Sequence, residues 1–202
     1  MKLRGLAVVM LMAMGALLSG CGVNAIPTYD EQAKASWAQV LNQYQRRADL
    51  IPNLVETVKG AADFERSTLE AVINARAKAT QTPIPPDILT NPDAMQLFQE
   101  NQGALSSALS RLMVVVERYP ELKANQNFLT LQAQLEGTEN RIAVARQDFI
   151  DAVRLYNTEL RTIPGRWWAA LLYPEAKEMA QFQVEEPATQ VPQVDFGNTT
   201  NQ

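Results

Sequence analysis

Apolar and small residues recur at helical spacing along most of the chain, and no segment alternates in the manner of a β-strand. The first stripe follows Thr28-x-x-Glu31, which matches a capping box. It keeps its phase through Pro52, although a proline inside a helix costs about 3 kcal/mol. The unbroken phase predicts one helix over 28–79, kinked at Pro52 and about 78 Å long at ~1.5 Å per residue. The stripe comprises Ala33, Trp37, Val40, Leu41, Tyr44, Ala48, Ile51, Leu54, Val55, Val58, Ala62, Leu69, Val72 and Ile73.

Two further long helices follow. A proline-rich loop over 80–91 leads to Asn91-Pro92-Asp93, an N-cap, a first-turn proline and a first-turn acid. The second helix is predicted to end at Tyr119, because the residue before a proline resists helical geometry. The third begins near Asn125 and ends before Pro164-Gly165, and its heptad spacing is typical of bundle packing. Its core face includes Ile142 and Phe149.

These elements predict an all-α fold, an up-and-down antiparallel helical bundle of three long helices, the first kinked at Pro52. Short helical pieces over 166–182 complete it, so that the whole is similar to a four-helix bundle. The polar segment 183–202 contains two prolines and few apolar residues, and we expect it to be a disordered tail.

The N-terminus has the features of an export signal. Lys2 and Arg4 precede the apolar run from Gly5 to Leu18, which spans roughly 21 Å as a helix. A bilayer core of about 30 Å needs a longer helix, so the run is typical of a signal peptide. It ends in Leu18-Ser19-Gly20-Cys21, which resembles a lipoprotein lipobox.

We therefore expect residues 1–20 to be a cleaved signal peptide, 21–27 a lipidated tether and 28–182 the bundle. Cys21 would carry diacylglycerol on its sulfur and an acyl group on its new N-terminus. Two or more acyl chains give stable membrane anchoring. Because Gly22, and not an aspartate retention signal, follows the cysteine, a bacterium with two membranes would carry the protein on its outer membrane, facing the periplasm.

The sequence leaves two interpretations open for residues 28–46. A continuous first helix would project this segment beyond its neighbours towards the membrane. Its exposed stripe would then bind a partner, either an unidentified envelope protein or a second copy of the chain. A break at Pro52 would instead fold the segment back as a fourth bundle helix. The residues of this candidate partner surface are Tyr29, Trp37, Val40, Leu41 and Tyr44.

Composition narrows the chemistry. The chain has no histidine, and Cys21 is its only cysteine, which removes Cys-His and Ser-His catalysis and internal disulfides. Carboxylates such as Asp148 and Asp151 have no metal-ligand spacing, and no glycine-rich phosphate loop is present. Loss of Lys2 and Arg4 with the signal changes the net charge from −4 to −6, so nucleic-acid binding is not expected. We predict no catalytic residue, no metal and no cofactor.

Several charges lie on or beside the apolar stripes. Arg47, Glu65 and Arg76 belong to the first stripe, and Glu139 and Arg146 flank the third. They are either edge pairs that set the register between helices or a polar layer that binds a small ligand. If the first and third helices are parallel, Glu65 and Arg146 should form a partly shielded ion pair.

Four motifs carry a family resemblance: Arg46–Val58, Glu117–Ala124, Gly137–Ile142 followed by Ala145-Arg146, and Tyr156-Asn157. Together they are similar to the LemA family, and the resemblance covers roughly residues 29–182. It implies a membrane-anchored, four-helix-like bundle and no particular biochemical activity.

The chain also departs from that family. A lipobox replaces the usual transmembrane anchor, Leu41 stands where relatives tend to have Asp, and Phe149-Ile150 replaces Tyr-Asn. Ile163–Arg166 replaces Phe-Pro-Gly-Asn. These changes weaken the case for a ligand site shared with relatives.

The sequence thus favours a non-catalytic, lipid-anchored helical scaffold of the cell envelope. The alternative is an envelope protein that binds a small ligand or a cell-wall fragment through the polar Arg/Glu layer. An internal cavity lined by Arg and Glu would favour the alternative, and a solid core would favour the scaffold.

Overall fold

The computed structural model describes residues 22–60 and 64–182, and none of these residues forms a strand. The predicted all-α helical fold is confirmed. The predicted signal peptide 1–20, Cys21 and the tail 183–202 lie outside the described residues. The helices are α1 (Ala25–Lys59), α2 (Arg66–Gln81), α3 (Pro92–Val116), α4 (Pro120–Lys123), α5 (Gln126–Arg161) and α6 (Gly165–Leu172), with a 3₁₀ turn at Ile88–Thr90.

Four of these helices, α1, α2, α3 and α5, form an up-and-down bundle. Trp37 of α1 packs on Phe149 of α5, and Arg47 farther along α1 bonds Glu139 farther back along α5, so these two helices are antiparallel. The predicted parallel arrangement of the first and last long helices is therefore wrong. The reason is one additional chain reversal, which makes α2 a separate helix antiparallel to both α1 and α3.

The predicted single helix over 28–79 is wrong, although α1 does continue through Pro52. It ends at Lys59, with Gly60 as its C-cap, and α2 begins at Arg66 after Glu65 in an extended conformation. A basic last-turn residue followed by glycine is a helix-termination signal. The hydrophobic phase concealed this signal, because both helices direct apolar faces at the same core.

Pro52 is accommodated by a contact from the next helix. Proline has no N–H, so Pro52 leaves the carbonyl of Ala48, four residues earlier, without its helical donor. Arg76 of α2 donates its Nε–H to this oxygen over 2.8 Å. A cross-helix hydrogen bond thus replaces the bond that proline removes, and α1 remains helical.

The N-terminus of α1 differs from its prediction. The helix begins at Ala25, with Asn24 at the N-cap, and the hydroxyl of Thr28 donates to the Asn24 carbonyl. Thr28 is therefore inside the first turns and not an N-cap, and the capping-box prediction is wrong. A proline can occupy position 27 because N–H groups in the first turn of a helix have no helical acceptor, so its missing N–H removes no helical hydrogen bond. Residues 25–27 of the predicted tether 21–27 consequently belong to α1.

The Asn91 cap was predicted correctly, and α5 begins where the third helix was expected to start, near Asn125. The Asn91 side chain accepts the N–H of Ala94 over 3.1 Å at the start of α3. Asn125 accepts two N–H groups at the start of α5. At its other end α3 stops at Val116, earlier than the predicted Tyr119, and Pro120 begins the four-residue α4.

The core consists of two apolar clusters along the bundle axis. One surrounds Trp37 and Phe149 and contains residues from the first halves of α1 and α3 and the second half of α5. The other surrounds Leu54 and Phe128 and contains residues from α2, from the second halves of α1 and α3, and from the first half of α5. Phe149 and Ile142 are buried, as the heptad pattern predicts.

The proposed partner surface over 28–46 is buried. Trp37, Val40 and Tyr44 belong to the first cluster, and Tyr29 and Leu41 are partly buried against it. Both interpretations of this segment are wrong, since it neither projects freely nor folds back at Pro52. Because α5 has 36 residues, it extends beside α1 to its first turns and covers the stripe.

The C-terminal segment 173–182 completes the half of the bundle that the shorter α2 does not reach. The side-chain amide of Asn157 donates to the Met179 carbonyl and accepts the Met179 N–H, at 2.9 and 2.8 Å. The N–H of Ala180 bonds the Leu89 carbonyl. These bonds place Met179 and Phe182 in the first cluster.

We expect Phe149→Ala to lower the free energy of unfolding by about 3–5 kcal/mol, since it removes a fully buried ring that packs on Trp37 and Phe182. Urea unfolding followed by circular dichroism measures the loss. Val144→Ala, at an exposed position of the same helix, is the control. A loss below about 1 kcal/mol for Phe149→Ala would contradict the assigned core.

Arg76→Met should cost about 2 kcal/mol, because it removes a charged donor from the Ala48 carbonyl and keeps an apolar stem. In a Pro52→Ala background the restored N–H can bond Ala48, so the same substitution should cost less. Unfolding of the four proteins in a double-mutant cycle measures this coupling. Lys78→Met, at an exposed site on α2, is the control. Equal losses in both backgrounds would refute the compensation.

Candidate functional site

A layer of polar side chains separates the two apolar clusters. Arg47 of α1, Gln102 of α3 and Thr138 of α5 are buried in it, at 1%, 6% and 0% exposure. Each occupies a core position of its own helix, between apolar neighbours at heptad spacing. The second helix contributes through its backbone, since the Gln102 side chain donates to the Ala79 carbonyl over 3.2 Å.

Arg47 is the centre of this layer. Its Nη1 donates to Ser106 Oγ and to Glu139 Oε1, both at 2.7 Å. Its Nη2 donates to the Gln102 side-chain oxygen at 2.7 Å and to the Gln102 backbone oxygen at 3.2 Å. The guanidinium also lies 5.0 Å from the centre of the Tyr44 ring. The Arg47 cation on α1 is thus bound by hydrogen-bond acceptors from α3 and α5 and lies beside an aromatic ring of its own helix.

The two members of the Arg47–Glu139 pair differ in exposure. The Arg47 side chain is 1% exposed, whereas that of Glu139 is 44% exposed. A buried charge is strongly destabilising when its partner is removed, because the charge cannot regain its hydration. Glu139 can be hydrated in place, so the cation depends on the carboxylate more than the carboxylate depends on the cation.

An open cleft of about 610 Å³ lies between α3 and α5 beside this layer. Its wall includes Tyr44, Glu139, Arg146 and Phe182. The Arg146 guanidinium lies 4.7 Å from the Phe182 ring centre, and no carboxylate of the described residues forms an ion pair with it. Burial raises the pKa of the Tyr44 hydroxyl, and the positive charges of Arg146 and Arg47 oppose that shift. The cleft therefore combines two arginines, Arg47 and Arg146, with two carboxylates, Glu100 and Glu139, and aromatic surface.

The LemA family model matches residues 36–196 of this sequence. The chain belongs to the LemA family. It is similar to the magnetosome proteins MamQ 1 and MamQ 2 of Paramagnetospirillum magneticum, at 28% identity over 179 residues that cover 81% of this chain and 64% of each relative. A MamQ of Magnetospirillum gryphiswaldense is 26% identical over 185 residues, or 84% of this chain and 67% of that protein. The chain thus spans less than two thirds of the length of the first two relatives.

The LemA-like motifs of this chain make internal contacts. Arg46–Val58 contains both Arg47 and Pro52, and Gly137–Ile142 contains Thr138 and Glu139. The Tyr156-Asn157 motif supplies the amide that binds Met179. Three of the four motifs thus contain residues that join one segment of the bundle to another.

The predicted charged residues separate into three groups. Arg47, Glu139 and Arg146 meet at the cleft. Arg76 bonds the Ala48 carbonyl instead. Glu65 lies at the start of α2 and pairs there with Arg118 over 2.7 Å. The predicted Glu65–Arg146 ion pair is therefore wrong. The antiparallel course of α1 and α5 places Arg146 level with Tyr44 and not with Glu65.

Sequence reasoning missed Gln102 and Ser106 of the LemA bundle and assigned no role to Thr138. A signal was present, because Gln102 interrupts the apolar sequence of Phe98, Leu105 and Leu109 at a core position. This signal can be interpreted only when the alignment of α3 with α1 is known, because that alignment places Gln102 opposite Arg47. The sequence alone did not supply that alignment.

Two further findings concern the LemA chain as far as it is described. Within residues 22–60 and 64–182, no helix has both the length and the apolar content that a membrane crossing requires. In the same ranges, no three His, Cys, Asp or Glu side chains converge in a way that would hold a metal ion.

We expect Glu139→Ala to destabilise the protein by about 3 kcal/mol, because it leaves the buried Arg47 cation without a carboxylate. Arg47→Met should cost less, about 1–2 kcal/mol, since the half-exposed Glu139 can be hydrated after its partner is lost. Urea unfolding gives both values. Glu136→Ala, one turn away at an exposed position of α5, is the control. A larger loss for Arg47→Met than for Glu139→Ala would contradict this ordering.

Proposed function

We propose that this LemA-family chain is a non-catalytic, lipid-anchored helical scaffold of the cell envelope. The observation that carries the proposal is the position of Gly22 and Val23, the first described residues. The Tyr173 hydroxyl donates to the Val23 carbonyl over 3.2 Å, and a Cβ on Gly22 would lie 3.6 Å from Pro164 Cγ. A lipid on Cys21 would therefore join the bundle at one end with only a short tether.

The buried polar residues bind other parts of the bundle, and this supports a scaffold over an enzyme. Arg47 binds three partners that belong to the bundle itself, and Asn157 binds the backbone of Met179. These are hydrogen bonds that fix helix positions, as polar residues at core positions do in coiled coils. The scaffold would present its outer helix faces to an envelope protein or to a second copy of the chain.

Mass spectrometry of protein purified from its native membrane should detect an N-terminal Cys21 that carries two or three acyl chains. Cys21→Ala is the control and should retain residues 1–20 without lipid. Detection of an unprocessed Met1 terminus in the unmodified protein would refute lipid anchoring. Membrane fractionation of a two-membrane host should place the protein in the outer membrane, and recovery with the inner membrane would refute that location.

The cleft supports a second candidate, the binding of a small carboxylate-bearing ligand such as a cell-wall fragment. The observation in its favour is Arg146, a cation in an open cleft of about 610 Å³ that is not paired with a described carboxylate. An arginine binds a ligand carboxylate through two parallel hydrogen bonds. Tyr44 and Phe182 would add aromatic contact.

Thermal unfolding in the presence of carboxylate-bearing cell-wall fragments tests the second candidate. A bound fragment should raise the melting temperature of the unmodified protein but not that of Arg146→Gln. Arg141→Gln, at an exposed position of α5 outside the cleft lining, should retain the shift. Absence of a shift in the unmodified protein would exclude these fragments and leave the scaffold proposal.

A further inference from the structure

The short helix α6 presents a large apolar surface to solvent. Its inward residues Trp168 and Ala169 pack on the first core cluster. Its outward residues Trp167 and Leu171 are four apart, so they share a helix face, and they are 63% and 72% exposed. Leu172 is 50% exposed, and Ile163, just before the helix, is 63% exposed. We call these four residues the α6 patch.

The α6 patch differs from the rest of the described surface. The other exposed large hydrophobic residues, from Ile73 to Leu155, are separated by long intervals along the chain. Isolated exposed apolar residues are ordinary on a protein surface, whereas a concentration of them marks a contact surface. The α6 patch places four such side chains within ten residues, on a helix whose other face is already packed, and this concentration is typical of a surface that contacts an apolar or interfacial partner.

The position of α6 is fixed by close packing against the end of α5. Gly165 begins the helix and is buried, and a Cβ at this residue would overlap the backbone oxygen of Glu159. Trp168 and Tyr173 pack on the same core cluster as Ile26 of α1. The patch is therefore a fixed feature of the bundle end.

The patch lies directly beside the start of the described chain. Tyr173 follows α6 by one residue and donates its hydroxyl to Val23, and Gly22 approaches Pro164 and Trp168. Cys21 is the next residue towards the N-terminus, preceded by the apolar run from Gly5 to Leu18. Whatever apolar environment receives Cys21 or that run is consequently within reach of α6.

We propose that the α6 patch inserts into the headgroup region of the lipid bilayer next to the anchor. This inference rests on the proposed lipid anchor. Tryptophan prefers the membrane interface, and a helix with one apolar face lies in the interface with that face in the lipid. The exposed Arg166 is placed in the same helix, where it can meet lipid phosphates.

Two contacts at one end would orient the bundle. The lipid on Cys21 supplies a high local concentration of bilayer, so a patch too small to bind alone remains engaged. Helix α1 leads away from this end and its 35 residues are about 52 Å long. Leu129, near the start of the antiparallel α5, would then lie far from the membrane.

Tryptophan fluorescence of the full-length protein, purified with its lipid and reconstituted in phosphatidylcholine/phosphatidylglycerol vesicles, tests the proposal. Vesicles with brominated acyl chains quench tryptophan that enters the bilayer. The contribution of Trp167 is the difference in quenching between the unmodified protein and Trp167→Phe. This comparison changes no core residue. We expect most of the quenching to be lost in Trp167→Phe.

Three variants test where the protein contacts the bilayer and whether the α6 patch causes the contact. Leu129→Trp in the Trp167→Phe background places a reporter at the far end of the bundle, and it should not restore quenching. Leu171→Glu should reduce the quenching of Trp167 by about half or more, since a charge is expelled from the apolar layer. Val144→Glu, at a 55% exposed site on α5, should leave the quenching unchanged.

Three results would overturn the proposal. Equal quenching of the unmodified protein and Trp167→Phe would mean that α6 does not enter the bilayer, and quenching of the Leu129→Trp reporter would contradict the orientation. A blue-shifted Trp167 that bromine does not quench would mean that a second copy or residues 5–18 cover the patch. Mass spectrometry of the same sample separates the two proposals, because a lipid-free Cys21 refutes the anchor whatever the quenching of Trp167.

Discussion

The arrangement of the long helices depends on one buried cation. A guanidinium at 1% exposure is tolerated only where hydrogen-bond acceptors surround it, and for Arg47 these come from α3 and α5. Apolar side chains can pack in several registers at similar cost, whereas the acceptors of Arg47 are correctly placed in one register. The polar layer thus determines how three helices align, and the two apolar clusters on either side provide most of the stability.

A difference in helix length gives the bundle two unlike ends. Because α2 has 16 residues beside the 35 of α1, one half of the bundle contains four helices and the other contains three. The fourth position in that second half is taken by the segment around Met179 and Phe182, attached through Asn157. Both α6 and the start of the described chain belong to this half, so the fold itself brings the proposed anchor and the α6 patch together.

Local signals in the sequence predicted local structure well. The cap at Asn91, the start of α5 near Asn125 and the buried face with Phe149 depend on a few neighbouring residues, so they were predicted from the sequence. The break after Lys59 was not predicted. Pro52 is the stronger apparent helix breaker, and the apolar pattern keeps its helical phase past both Pro52 and Lys59. One missed reversal then changed the direction of every later helix. Arg47, Glu139 and Arg146 were recognised as candidates, but their grouping required the topology.

The bond between Arg76 and the Ala48 carbonyl has a consequence for the pairing of α1 and α2. The surface of a regular helix repeats every turn, so a short neighbour can slide along it by about 5.4 Å and meet similar side chains. Pro52 makes one turn in the interior of α1 unlike its neighbours, since there a main-chain oxygen lacks its intrahelical donor. A displaced α2 would lose that acceptor and leave it shielded without a partner. The proline that interrupts the helical pattern of α1 thereby gives α2 a single docking position.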